Sequence, residues 1–179
     1  GVAQQQTFLQ HEEPGMIDLA DVSRELRACL RSLQQERTLD HGRWQVARPM
    51  LLRLVCSVRP MRPLQWLASQ TLPQRTYWQD RDGSRVTAGV GICDRLQAKT
   101  AEEGQKAFDT IAQRLEGMPT DLRYVGGMRF APKDTPSDLW QPFGISLWYL
   151  PTLQLVQQKN QAIQCHLHIK LTPDQQIQE

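Results

Sequence analysis

His166 and His168 stand two residues apart in a stretch of strict alternation, so a strand there carries both imidazoles on one face, as a metal pair would be carried. A metal also needs a third or fourth ligand, and His11, His41 and the scattered acids stand at no recognisable spacing from the pair. The expectation is a solvated polar face and no metal. Gly89-Val90-Gly91 follows a strand pattern and resembles the start of a dinucleotide loop, whose glycines let backbone approach a pyrophosphate. The third glycine is missing, and Asp94 would repel phosphate where a helix should open. No G-x-S-x-G elbow supports a nucleophile, and Ser69 and Ser84 read as helix-end and turn residues. Glu12-Glu13 falls in a polar tail, and Glu102-Glu103 begins a helix.

The elements that would hold such residues follow from periodicity. Val22, Leu26, Leu30 and Leu33 predict an amphipathic helix from Ile17 to Arg37, with Asp18 and Asp21 as caps. Met50 to Arg59 alternates as a strand buried on its even side. Pro63 opens a short helix with Leu64, Trp66 and Leu67 in the core. Arg75 to Gln79 and Arg85 to Cys93 form a hairpin around Asp80-Arg81-Asp82-Gly83. Thr100-Ala101-Glu102-Glu103 is a capping box for a helix that buries Phe108, Ile111, Ala112 and Leu115. Leu122 to Phe130 is a strand interrupted at Gly126-Gly127 by a bulge or a close neighbour. Ile145 to Leu150 is a strand covered on both sides. Lys159-Asn160 turns a strand at Leu153 to Gln157 back into Ile163 to Leu171. Strands in neighbouring pairs with helices between the groups predict an α+β fold, a mainly antiparallel sheet covered by helices.

The chain has 179 residues, enough for one ordinary domain. The expected organisation is a flexible N-terminal tail at 1–15, a single α+β domain at 16–171, and at 172–179 a polar tail or the start of a linker. No apolar run approaches the ~20 residues that span a bilayer, and no secretory signal is visible, so no membrane partner is expected. Cys29, Cys56, Cys93 and Cys165 form no C-x-x-C pair and read as reduced structural thiols, which favours the cytoplasm. Arg43, Arg48, Arg53, Arg59, Arg62 and Arg75 lie in a segment without acids, with Trp44 and Trp66 among them. A nucleic-acid stripe is one reading. With a net charge of only +2 and the arginines spread singly, the solvent side of a strand and its loops is the better one, and no nucleic-acid partner is expected.

Pro63-Leu64-Gln65-Trp66-Leu67-Ala68-Ser69-Gln70, with Tyr77-Trp78-Gln79, Arg81 and Gly83, resembles the helix and hairpin of menaquinone-pathway isochorismate synthases. Gly127-Met128-Arg129-Phe130-Ala131-Pro132 resembles that family's next glycine-containing strand. Trp140, Phe143, Leu150 and Pro151 resemble the tryptophan and Leu-Pro strand that follow. Order and approximate spacing agree from about Pro49 to Lys170. The resemblance implies the first part of an enzyme that converts chorismate to isochorismate with magnesium, a lysine base and a glutamate acid. By the same resemblance those residues belong to a C-terminal catalytic half, this chain's partner. Lys99, Lys106, Lys133, Lys159 and Lys170 match none of the family's catalytic motifs, so no catalytic, cofactor-binding or metal residue is assigned here. The alternative is a stand-alone small-ligand binding or regulatory module of chorismate and aromatic metabolism.

Overall fold

A computed structural model describes residues 7–18, 49–130 and 137–172, with single positions at 21, 24, 27, 28 and 31. Chain contacts divide it into two compact units, residues 1–91 with 152–179, and residues 92–151, where the sequence suggested one domain.

The first unit is built on a six-stranded sheet in the order β1-β2-β9-β8-β4-β3. Its strands are β1 (Thr7–Ile17), β2 (Met50–Val58), β3 (Arg75–Gln79), β4 (Arg85–Val90), β8 (Leu153–Gln158) and β9 (Ile163–Leu171). All pairings are antiparallel except β1 on β2. Thr7–Ile17 is thus a paired edge strand where a tail was expected to Gly15. Of the helix expected from Ile17 to Arg37, Ile17 instead closes β1, positions 24, 27, 28 and 31 are helical, and Val22, Leu26, Leu30 and Leu33 lie outside the described residues.

β2 is buried on both faces, not on its even side alone, and is paired along both edges, with β1 and β9. Cys56 and Val58 share the core with Ala88, Val90, Leu155, Ile163 and Cys165, under Trp66 and Leu67 of α1 (Pro63–Ser69). Pro63 takes the first helical position, where its missing N–H costs nothing. Leu64, expected in the core, is exposed. Gly91 ends β4 before the expected Cys93. Its φ is +72°, and a Cβ there would come 2.9 Å from Thr152 Oγ1.

The second unit is a three-stranded antiparallel sheet in the order β5-β7-β6, with β5 (Asp94–Ala98), β6 (Val125–Met128) and β7 (Ser146–Leu150), plus α2 (Ala101–Leu115). The capping box of α2 forms as expected. Glu103 N donates to Thr100 Oγ1 at 3.2 Å, and Thr100 N donates to Glu103 Oε2 at 3.3 Å. Bonds from the Lys99 and Thr100 N–H groups hold the Glu103 carboxyl below its ordinary value. The helix buries Gly104 and Ala107, while Phe108 and Ala112 of the expected stripe are exposed. The helix is turned by its partners. Gly104 approaches Ile145 and Ala98, the Phe108 ring reaches sideways to Trp148 at 5.4 Å, and Arg114 is drawn to Asp94.

Candidate functional site

Within the second unit, a groove of about 560 Å³ is lined by Gly126 to Phe130, by Trp140, Phe143 and Gly144, and by Ile145, Ser146, Leu147 and Tyr149. β6 and β7 supply its floor, and the 3-10 turn Gln141–Phe143 supplies a wall. Two glycines make this geometry accessible. A Cβ on Gly126 would lie 2.0 Å from Leu147 O, so only glycine lets β6 pair this closely with β7. Gly144 has φ +67°, and a Cβ there would lie 2.4 Å from Ala98 O.

The wall is fixed from below. Gln97 Nε2 donates to Pro142 O at 2.6 Å, and Arg129 N donates to Ile145 O at 2.8 Å. Trp140 and Phe143 meet as a tilted ring pair 5.5 Å apart. Phe130, Leu139 and Trp140 stand 106%, 76% and 56% exposed, so apolar surface meets water around the groove.

On the α2 side of the same sheet lies a polar cluster. Arg114 Nη1 donates to Asp94 Oδ2 at 2.5 Å, and the Tyr124 hydroxyl donates to the same oxygen. Burial, then the hydrogen bond to and charge of Asp94, push the Tyr124 phenol well above its ordinary value. Burial, the largest single influence, works to lower the Arg114 pKa, but the charges of and hydrogen bonds to Asp94 and Tyr124 together outweigh it and the net shift is upward. The cluster ties α2 to the start of β5.

A sequence profile described as chorismate binding enzyme matches residues 34–179. The chain belongs to the chorismate binding enzyme family. Among solved structures its fold is similar to that of MenF, the menaquinone-specific isochorismate synthase from Escherichia coli, at 22% identity and a TM-score of 0.51. That match covers 87% of this chain and 30% of the MenF chain. No curated protein sequence matches. Gly127, Met128, Arg129, Phe130, Trp140 and Phe143, which carry part of the family resemblance in the sequence, all line the groove.

The other residues singled out in the sequence find structural places. His166 and His168 do share one side of β9, but they are 1% and 2% exposed, so that face is buried and not solvated. Their rings meet edge to face at 6.4 Å, and His166 Nε2 lies 3.0 Å from Gln164 Oε1. Among the described residues no three His, Cys, Asp or Glu side chains gather as a metal site. Asp94 turns inward to Arg114, and Gly89 is a strand residue paired with Thr76 and Gln154. Ser69 Oγ donates to Trp66 O at 2.7 Å, and Ser84 closes the hairpin turn with Asp80 and Asp82. Glu12, exposed on β1, accepts from Gln10, and Glu102 pairs with Lys106 at 2.8 Å.

Arg53, expected toward solvent, is buried. Its Nε donates to Gln10 Oε1 at 2.8 Å, and its guanidinium stands 5.7 Å from the Phe8 ring centre. Trp66 is core and cannot stack on a base, while Trp44, Arg43, Arg48, His41 and Lys133 lie outside the described residues. No described helix is long and apolar enough to cross a membrane.

Sequence reasoning missed both the groove and the Asp94 cluster. Asp94 and Tyr124 are 30 residues apart and form no motif. The groove has a signal in the sequence, in Gly126-Gly127 and the aromatics at 130, 140 and 143, but nothing in their spacing joins them.

Proposed function

We propose that this chain is the N-terminal, non-catalytic part of a cytoplasmic isochorismate synthase-like enzyme, which converts chorismate to isochorismate in menaquinone biosynthesis. It packs on and supports a C-terminal catalytic half that holds magnesium and the catalytic lysine and glutamate. One observation carries this reading: the family profile spans residues 34–179, yet the fold accounts for only 30% of the MenF chain it is similar to. The exposed Phe130, Leu139 and Trp140 support it, since a surface of this kind is what a packed neighbour covers. Two of the described lysines fit it as well: Lys106 is an exposed helix residue paired with Glu102, and Lys159 is exposed in the β8–β9 turn. Turnover of chorismate with magnesium by the isolated chain is the test.

A further inference from the structure

Cys56 and Cys165 stand directly opposite each other on β2 and β9, two adjacent inner strands of the six-stranded sheet. They are 109 residues apart in sequence, and both are free thiols. His168 N donates to Thr152 O, on the β8 side, and backbone groups alternate sides along an antiparallel strand, so Cys165 turns its N–H and C=O toward Cys56. Cys56 Sγ lies 3.9 Å from Cys165 O. Residues paired in this way have Cα atoms about 5.5 Å apart, inside the range of roughly 4.4–6.8 Å that a disulfide bridges. Their Cβ atoms stand about 4.5–5.5 Å apart and must close by roughly 1 Å, so the bond is within reach but strained.

The surroundings keep the pair reduced at rest. Cys56 is 7% and Cys165 1% exposed, in the core they share with Trp66 and Leu67 of α1. The hydrogen bond with the Cys56 thiol, then burial, holds the Cys165 pKa well above its ordinary value, so it stays a thiol. α1 has only seven residues and no side-chain bond at its N-cap, which makes its local opening the route for a small reagent.

We propose that Cys56 and Cys165 are a redox couple, a resting dithiol that a small-molecule disulfide converts to a strained, reversible cross-strand disulfide. Cys56, the more exposed, attacks one sulfur of the reagent as thiolate, breaking its S–S bond and releasing one thiolate. Cys165 then attacks Cys56 Sγ and expels the second. Two protein thiols are oxidised, the reagent is reduced to two thiols, and the protein's two thiol protons end on them. The bond closes a ring of chain from β2 to β9 that contains the whole second unit.

The test exposes the full chain to oxidised glutathione, once folded and once unfolded in urea and refolded in the same buffer, with alkylation and peptide mass mapping. The expected product in both is the Cys56–Cys165 pair, slower to appear in the folded sample and lost on transfer to reduced glutathione. Chain entropy favours the shorter loops from Cys29 to Cys56 and from Cys56 to Cys93, so this preference has to come from the strand register. Cys93→Ala should keep the cross-link and Cys165→Ala should lose it, with unchanged near-ultraviolet circular dichroism showing that each variant is folded. Cys56 and Cys165 left as free thiols, carrying glutathione, or bridged to Cys29 or Cys93 overturn the proposal. So does a Cys56–Cys165 bridge that forms only on refolding, and so does one that survives excess reduced glutathione.

Discussion

Arg114 Nη1 lies 2.5 Å from Asp94 Oδ2, so the last turn of α2 is pinned to the first residue of β5 by a largely buried ion pair. Removing one partner strands the other. Asp94→Asn should cost about 2 kcal/mol in chemical denaturation, below the 3–5 kcal/mol of fully enclosed pairs because Arg114 keeps some contact with water. On a Tyr124→Phe background, the apolar double replacement Asp94→Leu with Arg114→Met should cost less than Asp94→Asn, since it leaves neither a charge nor a stranded hydroxyl behind. A double variant as unstable as the sum of its parts would remove the pair from the account.

Tyr124 donates to the same carboxylate, and its phenol titrates above the ordinary value of 10.0. A group whose folded pKa is raised stabilises the fold fully below its unfolded pKa and loses that contribution as pH rises through the folded value. Stability should therefore fall above pH 10. Phenolate absorbance should show one tyrosine still protonated at about pH 11, and Tyr124→Phe should abolish that late step.

Gly126 and Gly127 are neighbours with opposite tolerance. A Cβ at Gly126 meets Leu147 O and the Trp148 Cα, backbone atoms that cannot step aside, whereas at Gly127 it enters open space. Gly126→Ala should lose more than about 2 kcal/mol by parting β6 from β7. Gly127→Ala should be neutral or stabilise by up to about 1 kcal/mol through the unfolded chain. Thermal denaturation of the two variants checks this, and equal melting temperatures would contradict it.

The two tryptophans of the helix and hairpin signature differ as sharply. Trp66 packs in the core, while Trp78 on edge strand β3 is 63% exposed, its Nε1 donating to Asp80 Oδ1 at 3.2 Å. Trp66→Ala should cost about 3–5 kcal/mol, and Trp78→Ala no more than about 0.5 kcal/mol. Urea midpoints would show it.

Local elements were legible where the cause is local. The capping box at Thr100 and Glu103, the Asp80–Gly83 hairpin and the Asn160 turn each depend on a few adjacent residues, and each forms where the sequence places it. Burial was misjudged where distant strands decide it. Nothing near His166 or Arg53 announces that β9 enters between β2 and β8, or that Gln10 will meet Arg53 across β1 and β2. The α2 stripe holds in part, with Ile111 and Leu115 half-buried and Phe108 and Ala112 exposed, the helix being also tied to Asp94 through Arg114 and to Trp148 through Phe108. The groove joins residues from two loops and two strands, and only the fold brings them together.

The central claim is that this chorismate binding family chain supports chemistry done elsewhere. The direct measurement incubates residues 1–179 with chorismate and magnesium and follows isochorismate by chromatography. The account predicts no product above the uncatalysed background; steady turnover by this chain alone would contradict it.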